Sequence, residues 1–500
     1  MHKNILFLQL EVIPNCPPHM GMCLFIDDLQ RKGINCDAYI VNAHHVDEIM
    51  PVIEKGNYSL ICLESIFTID IINPILERFP GIPLLIGGVN ALALLFHTDV
   101  RYAVAGPGRK AVSAFIDQYF GARDFFAVPN LFFKDGNRIF YSGRTEHWNL
   151  KEELFPYRPF LGWQYLGLHR NPGAGFNDVS IMAGTGCPYS NSTESSLTNV
   201  KETIERLGYT ISDEALKRVD EIYNRKRHGC SFCIFQYQEH TSFPPDETVE
   251  LLLKQAGYLF ETHGITSFQV QTENPLPFLE NFISALIGNG IPLQKVSIRT
   301  RTNLLLMHKN KLLKCLDLAR KKDFRISIEQ LGFESFYGAD LLKFDKRVDT
   351  ATNMEVLELL RNIKGEYGEH VSIDVGHGII LFHPWTTLES IAENLKVMSR
   401  YGDVFPQLFL GSLILYSEFL PIFPEILEEN LVSESEYWYG MEYIMKDPLA
   451  NKAYDLYKIL ISCFGGSIPV QGYLNSLDLI RSNSIDEILK AVFSVIPVSD

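Results

Sequence analysis

The feature that most constrains this chain is a cysteine pattern with a gap in it. Cys187-Pro188-Tyr189-Ser190 is followed, after 39 residues, by Cys230-Ser231-Phe232-Cys233. With residues 191–229 removed, the text reads CPYSCSFC, a C-x3-C-x2-C run. If the three thiols share one site, the intervening segment has to leave the fold and return to it at nearly the same point. Its pattern is that of a folded element. Leu197, Val200, Ile204 and Leu207 fall at helical spacing, and Gly208 can end that helix. Thr210-Ile211-Ser212-Asp213 is a start signal for a second helix, with Leu216, Val219, Ile222 and Tyr223 as its apolar stripe. The expectation is a helical hairpin docked on another surface, either as a lid or substrate-docking element at the site or as a passive excursion on the outside. Arg225-Lys226-Arg227-His228 reads as a solvated helix C-terminus, where the helix dipole favours positive charge.

The rest of the chain alternates strand-like and helix-like segments. In residues 1–125, Ile5–Leu10, Cys36–Val41, Tyr58–Leu63, Ile82–Ile86 and Tyr102–Ala105 read as strands separated by helices. Such spacing implies a parallel sheet covered on both faces, a Rossmann-like or flavodoxin-like domain. Residues 126–175 read as a linker with a β-hairpin, because Asn130–Phe133 and Arg138–Tyr141 flank Asp135-Gly136. From residue 176 a second alternation begins, with Val179–Met182, Ser267–Gln271, Lys295–Arg299, Phe324–Ile328, Ser372–Leu381 and Gln407–Leu415 as strands. Six strands with helical crossovers suit a partial (β/α)6 barrel over 176–420, interrupted by the insert 191–229, although the pattern alone also permits another open α/β sheet. Residues 421–500 read as mostly helical and aromatic. No internal repeat is expected.

Composition narrows the function classes. A net charge of −15 with no long basic run disfavours a nucleic-acid partner. Nine cysteines in 500 residues do not form a disulfide scaffold, and a reducing, cytoplasmic setting is expected. The N-terminal apolar run is too short for a signal-peptide core. Leu408–Leu427 is broken by Ser412, Glu418, Pro421 and Pro424, so it reads as a buried strand and loop and no membrane span is expected.

Cys230-x2-Cys233 taken alone leaves several chemistries open. A zinc site would want two further ligands, and His228 and His240 stand nearby. Three thiolates at the restored spacing can instead hold three irons of a [4Fe–4S] cube and leave the fourth iron open. Two observations favour the cube. Cys187 follows a strand, so it sits where α/β folds place their sites. Phe232 lies between the last two cysteines of the restored run.

The downstream text carries further matching segments. Leu331-Gly332-Phe333-Glu334-Ser335 precedes Leu341-Leu342-Lys343 and Lys346-Arg347. Gly378-Ile379-Ile380-Leu381-Phe382-His383-Pro384-Trp385-Thr386-Thr387 follows. In this order and spacing the chain resembles the radical S-adenosylmethionine (SAM) superfamily, in the class with an N-terminal cobalamin-binding-type domain. The resemblance covers roughly residues 1–420. It implies Cys187, Cys230 and Cys233 as cluster ligands, with SAM chelating the open iron and cleaved reductively to a 5′-deoxyadenosyl radical. It further implies Glu273 near the SAM amino group, Arg301 paired with its carboxylate, Glu334 lining the site and Phe232 by the adenine. His383 is read as a satisfied core histidine. The implied partners are a peptide or small-molecule substrate and a one-electron reductant such as flavodoxin or ferredoxin. The implied outcome is modification of a C–H position by epimerisation, crosslinking, cleavage or methylation.

In the N-terminal domain, Pro17-Pro18-His19-Met20-Gly21, Ile86-Gly87-Gly88 and Gly106-Pro107-Gly108 fall where that domain type has its turn and glycine segments. There is no Asp-x-His-x-x-Gly run, so the usual lower axial histidine for cobalt is missing, and Arg109 stands where an acidic residue would be usual. Cobalamin binding and a purely structural domain therefore both remain as readings. A zinc-binding or catalytically degenerate scaffold is the alternative for the chain as a whole.

Overall fold

The structure, a computed structural model, describes residues 4–11, 18–42, 46–64, 69–147, 149–166, 179–185, 187, 200–223, 229–233, 241–373, 378–405, 407–408, 411–413, 415, 420–437, 440–463, 468–481, 485 and 487–488. The N-terminal strands are β1 (Asn4–Glu11), β2 (Asn35–Asn42), β3 (Leu60–Glu64), β4 (Leu84–Gly87) and β5 (Tyr102–Val104). They pair in parallel in the order β5-β4-β3-β1-β2. This is the flavodoxin-like order, whose switch point lies between β1 and β3. Strand β1 shows why both faces are covered. Leu6, Leu8 and Leu10 enter one apolar cluster, and Ile5 and Phe7 enter another on the opposite face.

The segment expected to be a linker extends this sheet on both sides. The hairpin at Asp135-Gly136 forms, with β6 (Leu131–Asp135) and β7 (Arg138–Tyr141) antiparallel beside β5. β8 (Gln164–Leu166) adds in parallel to β2.

The second alternation opens with β9 (Val179–Ile181) and β10 (Gly184–Thr185), and the insert carries β11 (Thr210–Ile211). β12 (Thr241–Ser242) pairs antiparallel with β10, Thr185 lying opposite Thr241. The chain thus leaves and re-enters at one point, as a shared cysteine site requires. β13 (Ser267–Val270), β14 (Lys295–Arg301), β15 (Arg325–Gly332) and β16 (Val371–Ile373) complete a parallel sheet in the order β16-β15-β14-β13-β9. Isolated parallel bridges, Glu334 to Ile379 and Phe382 to Ser412, carry the curve onward toward a sixth position.

Each barrel strand repeats one short pattern. Val179-Ser180-Ile181, Phe268-Gln269-Val270, Val296-Ser297-Ile298, Ile326-Ser327-Ile328 and Val371-Ser372-Ile373 are aligned in register. Side chains alternate along a strand, so the outer residues of each triplet point one way and the middle residue the other. The outer residues, Ile373 in part, pack with the helices into one large core. The middle residues Ser180, Gln269, Ser297, Ser327 and Ser372 form a polar row across the concave face. The sheet is therefore a half-barrel with a greasy outside and a hydrophilic lumen.

The insert does form two helices, Val200–Arg206 and Asp213–Tyr223, among its described residues. The text between them is not merely a helix start. Thr210–Ile211 becomes β11 and adds in parallel to β7, as the ninth strand of the N-terminal sheet. Val200, Ile204, Ala215, Val219 and Tyr223 join the N-terminal domain's apolar cluster. Residues 191–199 and the basic run 225–228 lie outside the described residues.

The C-terminal region has the expected helices, Pro448–Cys463 and Val470–Ile480. It also has a hairpin of β18 (Val432–Tyr437) with β19 (Gly440–Tyr443), and β20 (Ile468–Pro469), which pairs antiparallel with β17 (Gln407–Leu408) at the start of the expected sixth barrel strand. Aromatic content there was as compatible with strands as with helices. Among the described residues no helix is long and apolar enough to cross a membrane.

The insert's docking is pinned by Lys134 on β6. Its ammonium donates to Tyr209 Oη at 2.8 Å and Thr98 O at 2.6 Å, and lies 4.1 Å from the Tyr209 ring centre. Burial pushes this ammonium down to about 8, against the pull of Asp99. Above that pH the unfolded chain holds the proton that the folded chain has released, so through this group stability rises with pH. The stability of the parent relative to Lys134→Met should therefore increase from about pH 7 to about pH 10 in urea unfolding series. A flat or falling difference would contradict the burial of this charge.

Candidate functional site

The C-terminal ends of the barrel strands gather the residues that the sequence singled out. Cys187 lies just beyond β10 and is half-buried, Cys230 is 7% exposed, and Cys233 is half-buried. A tight turn joins the last two, the Cys233 N–H donating to Cys230 O at 3.0 Å. None of the three is part of a disulfide. Among the described residues, however, no three metal-ligating side chains close tightly enough to hold an ion. Gly186, Pro188–Ser190, His228 and His240 fall outside the described residues.

Arg301, at the end of β14, joins this loop to the barrel. It is buried, and its Nη1 donates to Cys230 Sγ at 3.3 Å. Its Nη2 donates to Lys346 O, and its Nε reaches Asn303 Oδ1 at 3.4 Å. Burial alone would lower its proton affinity, but the negative charges of Cys230, Cys187 and Glu334 outweigh it and raise the guanidinium above its ordinary range. Cys187, Cys230 and Glu334 therefore share one electrostatic neighbourhood around a single fixed cation. The sequence assigned Arg301 to a SAM carboxylate; in this structure it binds the cysteine loop.

Glu334 lies beyond β15 in an unusual backbone state, with φ +62°. A bulky residue there carries strain unless its surroundings enforce it. They do so here. The Glu334 N–H donates to Gly378 O at 2.6 Å, and its carbonyl accepts from the Ile380 N–H at 2.7 Å. Asn353 donates to Phe333 O and Ser335 O on either side. The carboxylate is paired with buried Lys346 at 2.6 Å. Glu273, after β13, lies 3.6 Å from Arg299, each side chain about one-third exposed. Phe232 packs edge-on against Phe344 at 5.2 Å, so the structure places it on the core beside the loop.

Below these residues runs the polar lumen, which the sequence reading missed. Ser180 Oγ donates to Gln269 Oε1 at 3.1 Å, and Gln271 Nε2 donates to Ser180 Oγ at 3.1 Å. Gln269 also donates to Glu329. Glu329 reaches inward from a bulge where the register with β14 shifts. The signal was present in the text as the recurring apolar–Ser/Gln–apolar triplet. A concavity of about 690 Å³ opens at the opposite, N-terminal ends of the strands, around His263–Ser267, Lys295 and Asp323–Arg325. It does not adjoin the cysteines.

The N-terminal domain meets the barrel through the helix Met20–Arg31, whose Met20 and Leu24 enter the barrel core. His19 precedes it, its N–H donating to Gln9 Oε1 at 2.6 Å. The imidazole keeps solvent access but is surrounded by protein, and that burial, with Arg299 of the barrel nearby, holds it below the usual range. The glycine segments expected to approach a cofactor divide in two. A Cβ at Gly87 would meet open space. One at Gly106 would lie 3.0 Å from the Asn130 amide, and one at Gly108 would lie 2.6 Å from the Phe25 ring. Those two places are filled by this chain's own side chains. Arg109 is likewise internal, bound to both oxygens of Asp28 at 2.6 and 2.9 Å and to Glu153 O at 2.9 Å.

No family model and no curated protein matches the sequence. Solved structures do match. They are structures of OxsB, a cobalamin-dependent S-adenosylmethionine radical enzyme. The form with aqua-cobalamin and S-adenosylmethionine bound matches at 11% identity and TM-score 0.55, over 98% of this chain and 70% of that one. The form with aqua-cobalamin alone matches over the same extents at 12% identity, as does the apo form. This chain has the fold of a cobalamin-dependent radical SAM enzyme. The match extends over nearly the whole chain, so the OxsB fold accounts for the N-terminal sheet and the half-barrel together.

Removing Arg301 should uncover the loop. Arg301→Leu leaves the Lys346 carbonyl and Cys230 without their buried donor and should cost about 3 kcal/mol of unfolding free energy. Arg301→Lys, one point charge that cannot span both partners, should fall between the two. Denaturant unfolding of the three proteins checks the order.

Proposed function

We propose that this chain is a radical SAM enzyme whose [4Fe–4S] cluster is held by Cys187, Cys230 and Cys233. It would act on a C–H position of a peptide or small natural product. The observation that supports this reading is the Arg301 contact: its buried guanidinium donates to Cys230 Sγ and to Lys346 O, and Lys346 pairs with Glu334, at the strand ends of a half-barrel with the OxsB fold. The donor set fits an iron–sulfur cube, which takes thiolates and a positively biased setting. When bound, that cluster together with SAM supplies reductive cleavage of the sulfonium and a 5′-deoxyadenosyl radical.

The protein's own residues do the positioning. Arg301 places a fixed positive charge against Cys230, which offsets negative charge gathered at the cysteines. Glu273 and Glu334 are both neutralised by cations, Arg299 and Lys346, so each can accept a hydrogen bond from a ligand ammonium without leaving a bare buried charge. The polar tier below them suits a ligand with hydroxyl or amide groups. A one-electron reductant such as a flavodoxin or ferredoxin would supply the electron, in a cytoplasmic setting.

Cobalamin is a separate matter. The OxsB structures hold aqua-cobalamin, and Gly87 here borders open space. Gly106 and Gly108 are filled by Asn130 and Phe25, so the fit is partial, and the proposed reaction needs no step through cobalamin.

Anaerobic reconstitution tests the proposal. The parent should take up iron and sulfide at one cube per chain, show broad sulfide-to-iron absorbance, and form 5′-deoxyadenosine with dithionite and SAM. Cys187→Ala, Cys230→Ala and Cys233→Ala should each abolish the product. Bound zinc with no iron uptake would instead support the zinc-scaffold alternative. A cobalamin spectrum after incubation with hydroxocobalamin would add the second cofactor.

A further inference from the structure

His383 stands in the segment Phe382-His383-Pro384-Trp385-Thr386-Thr387, and the proposed chemistry makes no use of it. The residue is 1% exposed, and Asp340 beside it is 3% exposed. His383 Nε2 lies 3.0 Å from Asp340 Oδ1. The approach is off-line, and neither ring nitrogen has a hydrogen-bond partner among the described residues. A buried polar group left in that state costs about 1–3 kcal/mol. Well-packed apolar residues often replace buried charged pairs without loss. Stability alone therefore gives no reason for an imidazole at this position.

The contacts of its neighbours do. The segment 338–347 is the floor beneath the cysteine loop. The Ser231 N–H donates to Phe344 O at 2.9 Å, and Ser231 Oγ donates to Lys343 O at 3.0 Å. Phe232 packs on Phe344, and Arg301 bridges Cys230 to Lys346 O. His383 touches this floor twice: Nε2 against Asp340, and the ring edge-on to Phe344 at 5.0 Å. Asp340 in turn accepts from Ser335 Oγ at 2.8 Å, next to the strained Glu334. The imidazole itself is fixed through its backbone, whose N–H donates to Thr386 Oγ1 at 2.8 Å.

We infer that His383, acting with Asp340, is a positioning residue for the cysteine loop. It sets the height of the Lys343–Lys346 carbonyl floor to which Ser231, between Cys230 and Cys233, is hydrogen-bonded and to which Arg301 ties Cys230. The inference builds on the proposed cluster site, and its test has one arm that needs no cluster. In full-length protein, cluster-free and reduced, alkylation by iodoacetamide is followed for each cysteine by mass spectrometry, with exposed Cys463 as the internal reference. His383→Phe fills the same space without nitrogens. It should raise the Cys230 rate about tenfold by loosening the loop locally, with the melting temperature unchanged or higher. His383→Gln keeps an N–H at similar reach and should stay within about twofold of the parent. An unchanged Cys230 rate in His383→Phe, or a rise matched by a fall in melting temperature, overturns the inference.

After reconstitution, His383→Phe should hold as much iron as the parent. The EPR signal of its reduced cluster should be altered, and SAM cleavage should fall about tenfold. An identical signal and rate overturn the inference while leaving the proposed function intact. A parent that takes up no iron overturns the proposed function, and the alkylation arm still decides whether His383 positions the loop.

Discussion

A single buried guanidinium connects the parts of this site that are far apart in the chain. Arg301 ends the central strand of the half-barrel, reaches the second cysteine of the split pattern and holds the carbonyl of Lys346. Lys346 then turns its ammonium to Glu334. Four segments, from residues 187 to 346, thus answer to one charge that cannot leave water without partners. The backbone oxygen satisfies part of the fork whatever the state of the sulfur. The sulfur is the partner whose charge a bound ligand would change, so Arg301 senses the cysteine loop while staying anchored to the barrel. That explains how a loop interrupted by a long insert can still be held to atomic tolerances: its position is set by the barrel and not by chain continuity.

The parallel strands of both domains were legible because their apolar runs and crossover spacing are local. β1–β5 and the first four barrel strands lie close to where their sequences placed them, with ends differing by a few residues, while the fifth, expected over Ser372–Leu381, is the short strand Val371–Ile373. Cys187, Arg301 and Glu334 stood out for a related reason: each lies at or just beyond the end of a strand, where α/β sheets present their loops, whereas Cys230 and Cys233 stood out only by their spacing. The triplet repeat was in the text too, but three residues are too short to stand out until register aligns them. Ser180, Gln269, Ser297, Ser327 and Ser372 become a row through pairing across five strands. Pairing is a property of the fold and not of any one segment.

What the sequence did not disclose is where separate segments meet. Thr210-Ile211 reads as the start of a helix, and its neighbour Ser212 does accept from the Ala215 N–H at 3.3 Å. The same two residues are claimed as a strand because β7 offers an unpaired edge. Thr210 N–H donates to Asn137 O at 3.0 Å, and Ser212 N–H donates to Ile139 O at 2.9 Å. An edge strand is a ready template, and covering it with the insert removes that hazard. The insert therefore joins the cysteine loop to the N-terminal domain, which bears on both roles considered for it. Its described helices are docked on the sheet of the other domain, as expected of a folded hairpin packed on another surface.

The same lesson applies to glycine. Gly106 and Gly108 invite the reading that backbone is making room for a cofactor, since that is one use of a missing Cβ. The room beside them is taken by Asn130 and Phe25. Arg109, one residue on, explains why. Its guanidinium draws in Asp28 and the backbone of Glu153 and Pro156, so the helix carrying Phe25, the β5 loop and the linker are fastened together. A buried arginine with four acceptors is costly to assemble and costly to disturb. An acidic residue at that position could not make those contacts and would repel Asp28. At residue 109, where the resemblance leads one to expect an acidic residue, the arginine thus fastens the helix Met20–Arg31 to the linker.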